Sequence, residues 1–283
     1  IRGCLHIIGR LGPQLDLPVL CLKSSDRFRH VHFVQDPSPG FDSNGHGQER
    51  EKKMRVLGLL GGMSWESTAI YYRLLNEGVR ARKGGLHSAP LLLWSPDFAP
   101  IADRQCEDDW SALAEQLGRA GQHLKRSGAE ALLICSNTMH CLHEAIELAT
   151  GVPTLHIADA TGEALQRAGR KHPALLATRF TMEGTFYAQR LRDLFGITAM
   201  IPDEDARSGI HRIIYEELCR GVIRDESRAY YRDVIKQMKA EGADSVILGC
   251  TEITMLVTQD DTDLPVFDTT ALHAEAGVSW MLA

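Results

Sequence analysis

Cys250 is the side chain in this sequence best suited to acid–base or nucleophilic chemistry. It stands in the motif Gly249-Cys-Thr-Glu252, directly after an apolar run and before a helical start. Backbone N–H groups at a helix start lower a thiol pKa from about 8.5 into the range of roughly 3.5–7.5, which makes the thiol a useful base or nucleophile. Thr251 and Glu252 offer polar contacts to a ligand or to that thiol. The alternative is a buried cysteine that packs as a small apolar residue.

A second polar loop, Cys135-Ser-Asn-Thr-Met-His140, follows another apolar run. Cys135 continues the alternation of the predicted strand, so its side chain is expected to point into the core. Asn137 and Thr138 could bind a ligand, or they could cap the helix that follows.

The two loops belong to an internal repeat, in which residues 127–138 align without gaps with residues 241–252. The equivalent positions are Gly128 and Gly242, Glu130 and Asp244, Ser136 and Cys250, and the runs 58–61 and 174–177. This repeat predicts two homologous α/β units related by a pseudo-two-fold axis. Ligands of open α/β sheets bind at the carboxyl ends of the strands. We therefore expect Ser136 and Cys250 on opposite walls of one cleft.

From Met54 onward, strand and helix patterns alternate, which predicts parallel sheets with crossover helices. The predicted strands are 56–60, 89–94, 131–135, 152–156, 174–178, 245–248 and 265–268. The predicted helices are 64–82, 110–127, 140–149, 161–168, 182–195, 210–220 and 227–241.

Composition narrows the class of protein. The chain has 283 residues and a net charge of −6, which gives no electrostatic argument for a nucleic-acid partner. No apolar run approaches the ~20 residues of a membrane-spanning helix. Seven cysteines are an odd number and too sparse for a disulfide scaffold, so we expect reduced thiols in a cytoplasmic protein.

Cofactor and metal motifs are weak or absent. The glycine turn in Gly58-Leu-Leu-Gly-Gly-Met63 could hold an anion at a helix start, but it is not a dinucleotide motif. His140, Cys141 and His143 place only one pair of ligands on a helix face, so no metal site is expected. The other histidines are expected at the surface.

Residues 1–53 lack sustained periodicity and end in a turn-rich, charged stretch over 37–53. We predict that Met54 is the natural start, and that 1–53 is an added or mis-assigned extension without a fixed fold. The alternative is a genuine but disordered N-terminal arm.

Several separated motifs resemble the cofactor-independent aspartate/glutamate racemases over residues 54–283. They are Gly-Gly-Met-Ser-Trp-Glu-Ser-Thr at 61–68, Asn-Thr-Met-His at 137–140, His-Ile-Ala-Asp-Ala-Thr-Gly at 156–162, and Gly-Cys-Thr-Glu at 249–252. Within the family, the sequence most resembles the enterobacterial branch of broad-specificity or L-aspartate/glutamate-specific amino-acid racemases.

The resemblance implies two pseudo-symmetric parallel-sheet domains with the active site in the cleft between them. Racemase domain 1 would comprise 54–155 plus 266–283, and domain 2 would comprise 156–265. It further implies a cytoplasmic homodimer that binds an acidic amino acid and uses no cofactor.

Racemisation without a cofactor needs a base on one face of Cα and an acid on the other, and these roles fall to Cys250 and Ser136. Most of the family has Cys-Asn-Thr in the first loop. Serine at 136 puts efficient two-way racemisation in doubt and implies a preference for the L enantiomer. The expected substrate-binding residues are Met63, Gln105, Asn137, Thr138, Thr251 and Glu252, since donors around the α-carboxylate stabilise the developing charge. Arg104 is a weaker candidate for contact with the substrate. Arg207, which could pair with a side-chain carboxylate of the substrate, is another.

Other classes of function stay open. Maleate isomerases, hydantoin racemases and arylmalonate decarboxylases share the two-lobed shape. A non-catalytic amino-acid binding protein is a further alternative. A cysteine hydrolase would need an oriented histidine beside Cys250, which no nearby motif supplies.

Overall fold

Two parallel β-sheets organise residues 53–283, the part of the chain that this computed structural model describes. The first sheet has the order β2-β1-β3-β4, with β1 (Leu57–Leu60), β2 (Leu91–Trp94), β3 (Ala131–Ile134) and β4 (Thr154–Leu155). The second has the order β5-β6-β7, with β5 (Pro173–Ala177), β6 (Ser245–Gly249) and β7 (Val266–Asp268). All pairings are parallel, which confirms the predicted α/β class. The predictions for residues 1–52 lie outside the described residues.

Ten α-helices connect and cover these strands in the described part of the chain. They are α1 (Trp65–Lys83), α2 (Ala99–Cys106), α3 (Trp110–Arg126), α4 (His143–Thr150), α5 (Ile157–Arg167), α6 (Arg179–Glu183), α7 (Thr185–Phe195), α8 (Glu204–Glu216), α9 (Asp225–Ala240) and α10 (Thr269–Leu282). Short 3-10 helices occupy Thr138–Leu142, Leu218–Arg220, Thr251–Met255 and Gln259–Asp261. Within residues 53–283, no helix has the length and apolar character needed to cross a bilayer.

Two helices were not predicted from the sequence. The first, α2, is only eight residues long, and Pro100 lies in its first turn. The second, α10, carries apolar residues around most of its circumference because neighbouring elements cover it, so it lacks the one-sided pattern that reveals a surface helix. The predicted helix over 182–195 is two helices, because the chain leaves helical geometry at Gly184.

Strand register confirms the internal repeat. Leu57 pairs with Ala131 in the first sheet, as Pro173 pairs with Ser245 in the second. Since the offset between 57 and 173 is the same as between 58 and 174, the runs 58–61 and 174–177 are equivalent in space. Gly128 and Gly242 both lie in the left-handed region, with φ of 106° and 108°, a conformation that favours glycine.

The acidic residues of the repeat perform the same structural task in both halves. Glu130 accepts a hydrogen bond from the N–H of Val56 at 2.9 Å, at the start of β1. Asp244 accepts from the N–H groups of Lys171 at 2.6 Å and His172 at 3.0 Å, just before β5. Each carboxylate therefore satisfies the donors where the neighbouring strand begins.

The halves exchange helices. Helix α5 follows β4 of the first sheet, but its Ile157 and Leu165 belong to the core around β5 and β6. Helix α10 follows β7 of the second sheet, but its Val278 and Met281 belong to the core of β1, β3 and α1. Residues 53–283 consequently form one contact unit, and the boundaries 54–155 plus 266–283 and 156–265 stay a prediction.

Candidate active site

A cavity that opens in part to solvent lies at the carboxyl ends of the inner strands, and its space, open solvent included, is about 380 Å³. All eight residues predicted to form the site line it: Met63, Gln105, Ser136, Asn137, Thr138, Cys250, Thr251 and Glu252. Seven of these residues lie in the segments that follow β1, β3 and β6, and Gln105 lies in α2. The fold therefore brings the predicted set together, while the role of each residue stays a prediction.

Further lining residues include Phe98, Thr178, Ile214, Tyr215 and Cys219, none of which was predicted from the sequence. Ile214 and Tyr215 end the amphipathic helix α8, where apolar and aromatic residues at helical spacing indicate core packing. Phe98 is the N-cap of the unpredicted helix α2. No signal in the sequence distinguished these positions from ordinary core residues.

Cys250 and Glu252 form a buried pair. The Cys250 thiol donates to Glu252 Oε2, with Sγ and Oε2 2.9 Å apart. Glu252 Oε1 accepts from the hydroxyls of Ser64 at 2.6 Å and Ser67 at 2.8 Å. Both oxygens of the Glu252 carboxylate therefore accept hydrogen bonds from protein groups, and one of these groups is the Cys250 thiol.

The electrostatics of Cys250 differ from the prediction. Burial, and then the charge of Glu252, raise the pKa of the Cys250 thiol well above its ordinary value, and the N–H of Glu252 opposes this only partly. The prediction that a helix start lowers the pKa of Cys250 was wrong. The segment that follows Cys250 is a five-residue 3-10 helix, and the nearest charge is negative. In the resting site Cys250 is therefore a thiol that points its hydrogen at a carboxylate.

The glycine turn after β1 was expected to hold an anion at the start of α1. Ser64 caps this helix by accepting from the N–H of Ser67 at 3.3 Å, and the N–H of Gly62 donates to Thr68. The anion beside this turn is the carboxylate of Glu252, which the two serine hydroxyls bind. The turn thereby connects the first sheet to the Cys250 loop of the second.

Ser136 lies on the other loop, at the position equivalent to Cys250. It is half-buried, and its hydroxyl accepts from the N–H of Met139 at 3.4 Å. Cys135 packs in the core and does not line the cavity, as its strand position predicted. Burial raises the pKa of the Cys135 thiol far above its ordinary value. The side chain available on this wall is therefore the hydroxyl of Ser136.

Asn137 presents an unused acceptor. Its Nδ2 donates to Thr269 at 3.0 Å, while its Oδ1 is buried and has no hydrogen-bond partner among the described residues. The side chain of Asn137 does not cap the following helix, so that alternative was wrong. Thr138 bonds to Thr178 at 2.8 Å, across the cavity's edge.

Gln105 joins the two halves across the cavity. Its Oε1 accepts from the hydroxyl of Tyr215 at 3.1 Å, and its Nε2 lies 3.1 Å from the sulfur of Met139. Gln105 comes from α2 and Tyr215 from α8, so this contact closes one side of the site.

Comparison with known proteins agrees with this architecture. The family model described as Asp/Glu/Hydantoin racemase matches residues 60–277. The chain belongs to this family. A solved Yersinia pestis protein, provisionally described as an Asp/Glu racemase, is 50% identical with a TM-score of 0.76, and the match covers 81% of this chain and 100% of that one. An aspartate racemase homologue from Pyrococcus horikoshii OT3 is 28% identical with a TM-score of 0.69, covering 81% and 100%.

A curated relative extends the comparison. The broad specificity amino-acid racemase RacX of Bacillus subtilis is 20% identical over 239 residues, which cover 81% of this chain and 99% of that protein. Membership of the family gives the class of activity, that of a racemase, an isomerase acting on amino acids.

The racemase cavity carries little positive charge. Of the described residues that line it, none is lysine, arginine or histidine, and Glu252 supplies a negative charge. Arg104 donates to Gln116 and is not among the lining residues. Arg207 bonds to Glu183 at 3.0 Å and to the carbonyl of Pro202 at 2.8 Å. Neither arginine therefore contacts the site.

The expectation that the histidines other than His140 and His143 lie at the surface was wrong for His156 and His273. His140, His156 and His273 are buried, and they lie together behind the Ser136 loop. No group of three or more potential ligands in residues 53–283 could hold a metal ion.

Proposed function

We propose that this chain is a cofactor-independent amino-acid racemase that moves the α-proton of aspartate or glutamate between Cys250 and Ser136, with a preference for the L enantiomer. The observation that supports this most strongly is the pseudo-symmetric placement of Ser136 and Cys250. Both follow the central strand of a sheet at equivalent positions, and both line one cavity. Two such groups lining one cavity support a reaction in which a proton leaves one face of Cα and returns to the other.

Cys250 acts as the base for the L enantiomer. Because its pKa is raised, its thiol proton must leave before the sulfur can accept the α-proton. Glu252 Oε2, 2.9 Å from Sγ, takes that proton, and the thiolate then takes the proton from Cα. Ser64 and Ser67 hold the carboxylate in place through Oε1. When the α-proton returns, the same two transfers run backwards.

Ser136 faces the opposite side of Cα. A serine hydroxyl is a far weaker acid than a thiol, and its alkoxide is essentially absent near neutral pH. Return of a proton through Ser136, or through a water bound to it, is therefore slow. Enantiomers have equal free energies, so the ratio of forward to reverse kcat/KM must be one. A preference for the L form accordingly means that exchange of its α-proton is faster than inversion.

The polar residues around the cavity bind the amino-acid head group. The free Oδ1 of Asn137 accepts from the α-ammonium group. The hydroxyls of Thr138 and Thr251, which both line the cavity, donate to the α-carboxylate and stabilise the charge that develops on loss of the α-proton. Met63 and Gln105 border the substrate side chain.

Aspartate and glutamate are the substrates that the names of the Yersinia and Pyrococcus relatives support. The absence of a cation among the described lining residues, together with the broad specificity named for RacX, supports uncharged side chains as additional substrates. We further propose that the protein acts as a cytoplasmic homodimer.

Proton NMR in D2O tests the function directly. Both enantiomers of aspartate, glutamate, asparagine and glutamine are incubated with the enzyme, and α-proton exchange is recorded separately from inversion. We expect rapid deuterium incorporation into an L-amino acid and slower formation of its D form. Maleate and a 5-substituted hydantoin in the same panel identify the alternative isomerase activities. If no amino acid exchanges its α-proton, the proposed function is wrong.

A further inference from the structure

Four imidazole rings pack together behind the Ser136 loop. The ring of His140 lies 4.8 Å from that of His156 and 5.3 Å from that of His273, centroid to centroid. The ring of His143 lies 4.7 Å from that of His156. Such a cluster is costly to bury unless every ring nitrogen that needs a partner has one.

The hydrogen bonds of His140 fix its protonation. Its Nε2 lies 3.2 Å from the backbone N of Ile157, and an N–H can only donate, so Nε2 is the acceptor. The other nitrogen, Nδ1, therefore carries the proton of the neutral ring. It lies 2.7 Å from the carbonyl oxygen of Ser136 and donates to it.

The hydrogen bonds of His273 fix the position of its ring proton in the same way. Its Nε2 donates to the carbonyl of Leu155 at 2.9 Å, so its Nδ1 accepts from the hydroxyl of Tyr71, also at 2.9 Å. Burial lowers the pKa of His273 to about 4, and burial together with His273 lowers that of His140. The rings are therefore neutral near pH 7, as their hydrogen bonds require.

The two partners of His140 belong to different halves of the molecule. Ser136 follows β3, an inner strand of the first sheet. Ile157 begins α5, which packs in the same core cluster as Cys250 and the second sheet. One imidazole thus connects the backbone of the Ser136 wall to the body that carries the Cys250 wall.

We propose that His140 is a positioning residue that sets Ser136 at its working distance from Cys250 by bridging the carbonyl of Ser136 and the N–H of Ile157. This inference rests on the proposed racemase function. The Ser136 carbonyl cannot shift without breaking a bond to a ring that α5 fixes on its other edge. His140 touches no reacting atom, so it acts through the loop.

Substitution at His140 should alter one side of the reaction more than the other. In His140→Leu both bonds are lost, and we expect inversion of the L substrate to fall at least tenfold while exchange of its α-proton falls less than threefold. His140→Asn restores a donor near the Nδ1 position and should recover much of the inversion rate. His143→Gln is the matched control, because His143 lies in the same cluster but donates to the carbonyl of Thr154.

A merely structural role would lower exchange and inversion by the same factor, and that result would overturn the proposal. Unchanged inversion in a folded His140→Leu variant would overturn it as well. If that variant does not fold, His140→Asn and His140→Gln are compared, since they keep different edges of the imidazole.

Amide hydrogen exchange gives a readout that does not depend on activity. A peptide spanning 135–142 should exchange faster in His140→Leu than in wild type or His143→Gln. Equal protection in all three proteins would contradict the positioning role even if the wild type racemises amino acids. If His140→Leu shows the expected loss of protection but the wild type has no racemase activity, the proposed function is wrong and the structural role of His140 is not.

Discussion

Cys250 directs its thiol hydrogen at Glu252, two residues further along the chain, across 2.9 Å. The other oxygen of the carboxylate accepts from Ser64, the N-cap of α1, and from Ser67 in its first turn, both more than 180 positions away in the sequence. This contact explains how a thiol whose pKa is raised by burial can still lose its proton, because an acceptor is already in hydrogen-bond contact.

Glu252→Gln should separate the role of Glu252 as a proton acceptor from the reactivity of the Cys250 thiol. The amide keeps the shape of the side chain but cannot take the thiol proton, so we expect α-proton exchange from the L substrate to fall about 100-fold. Removing the negative charge also lowers the pKa of the thiol, so iodoacetamide should alkylate Cys250 faster than in wild type. Glu66→Gln in the first turn of α1 is the matched control and should change neither rate. A parallel fall of both rates would indicate a distorted site.

Cys250→Ala should abolish exchange and leave the fold intact, because it removes the thiol that donates to Glu252 Oε2 in the cavity. The measurement is deuterium incorporation into the L substrate, with circular dichroism as a check on folding. Cys135→Ala is the comparison, since Cys135 is buried in the core on the other loop. It should lower stability by about 1 kcal/mol through lost packing but keep activity. Exchange above a tenth of the wild-type rate in Cys250→Ala would show that Cys250 is not the base.

Substitutions at Ser136 should act on inversion. Ser136→Cys supplies a group of thiol acidity on the second wall, so it should raise the rate of inversion and open exchange from the D enantiomer. Ser136→Ala should suppress inversion while keeping exchange of the L form. The two processes are followed by NMR and by chiral chromatography. Equal exchange of both enantiomers by the wild type would contradict an asymmetric site.

The histidine cluster should make the fold sensitive to mild acid. The pKa of His273 is about 4 in the fold and about 6.5 when unfolded, so the unfolded chain binds more protons between these values. The contribution of His273 is complete above pH 6.5 and is lost progressively as the pH falls toward 4, at most about 3 kcal/mol. The groups that face this ring are Tyr71, His140, His143 and Asp159.

Urea unfolding at several pH values measures this effect. His273→Gln keeps hydrogen-bonding groups at the site and should give a flatter dependence of stability on pH between 6.5 and 4, with lower stability at pH 7. An unchanged slope would show that other groups dominate the acid response.

The sequence by itself determined the class of fold, the internal repeat and eight of the residues that line the cavity. Alternating strand and helix patterns predicted the two parallel sheets, because the strands are short, mainly apolar runs between amphipathic helices. The gapless repeat identified Ser136 and Cys250 as equivalent, because both follow a strand whose register the structure repeats. These properties depend on local pattern and chain order, which the sequence contains directly.

Only the tertiary structure decided the electrostatics and the connections between distant segments. The pKa of Cys250 depends on burial and on the distance to a carboxylate, and neither follows from the helix-start pattern that predicted a lowered value. The binding of Glu252 by Ser64 and Ser67 joins residues more than 180 positions apart in the chain. Packing between the halves also decides that α5 and α10 each cover the other half's core, and it assembles the histidine cluster. The environment of a side chain is set by neighbours that the chain brings together only on folding.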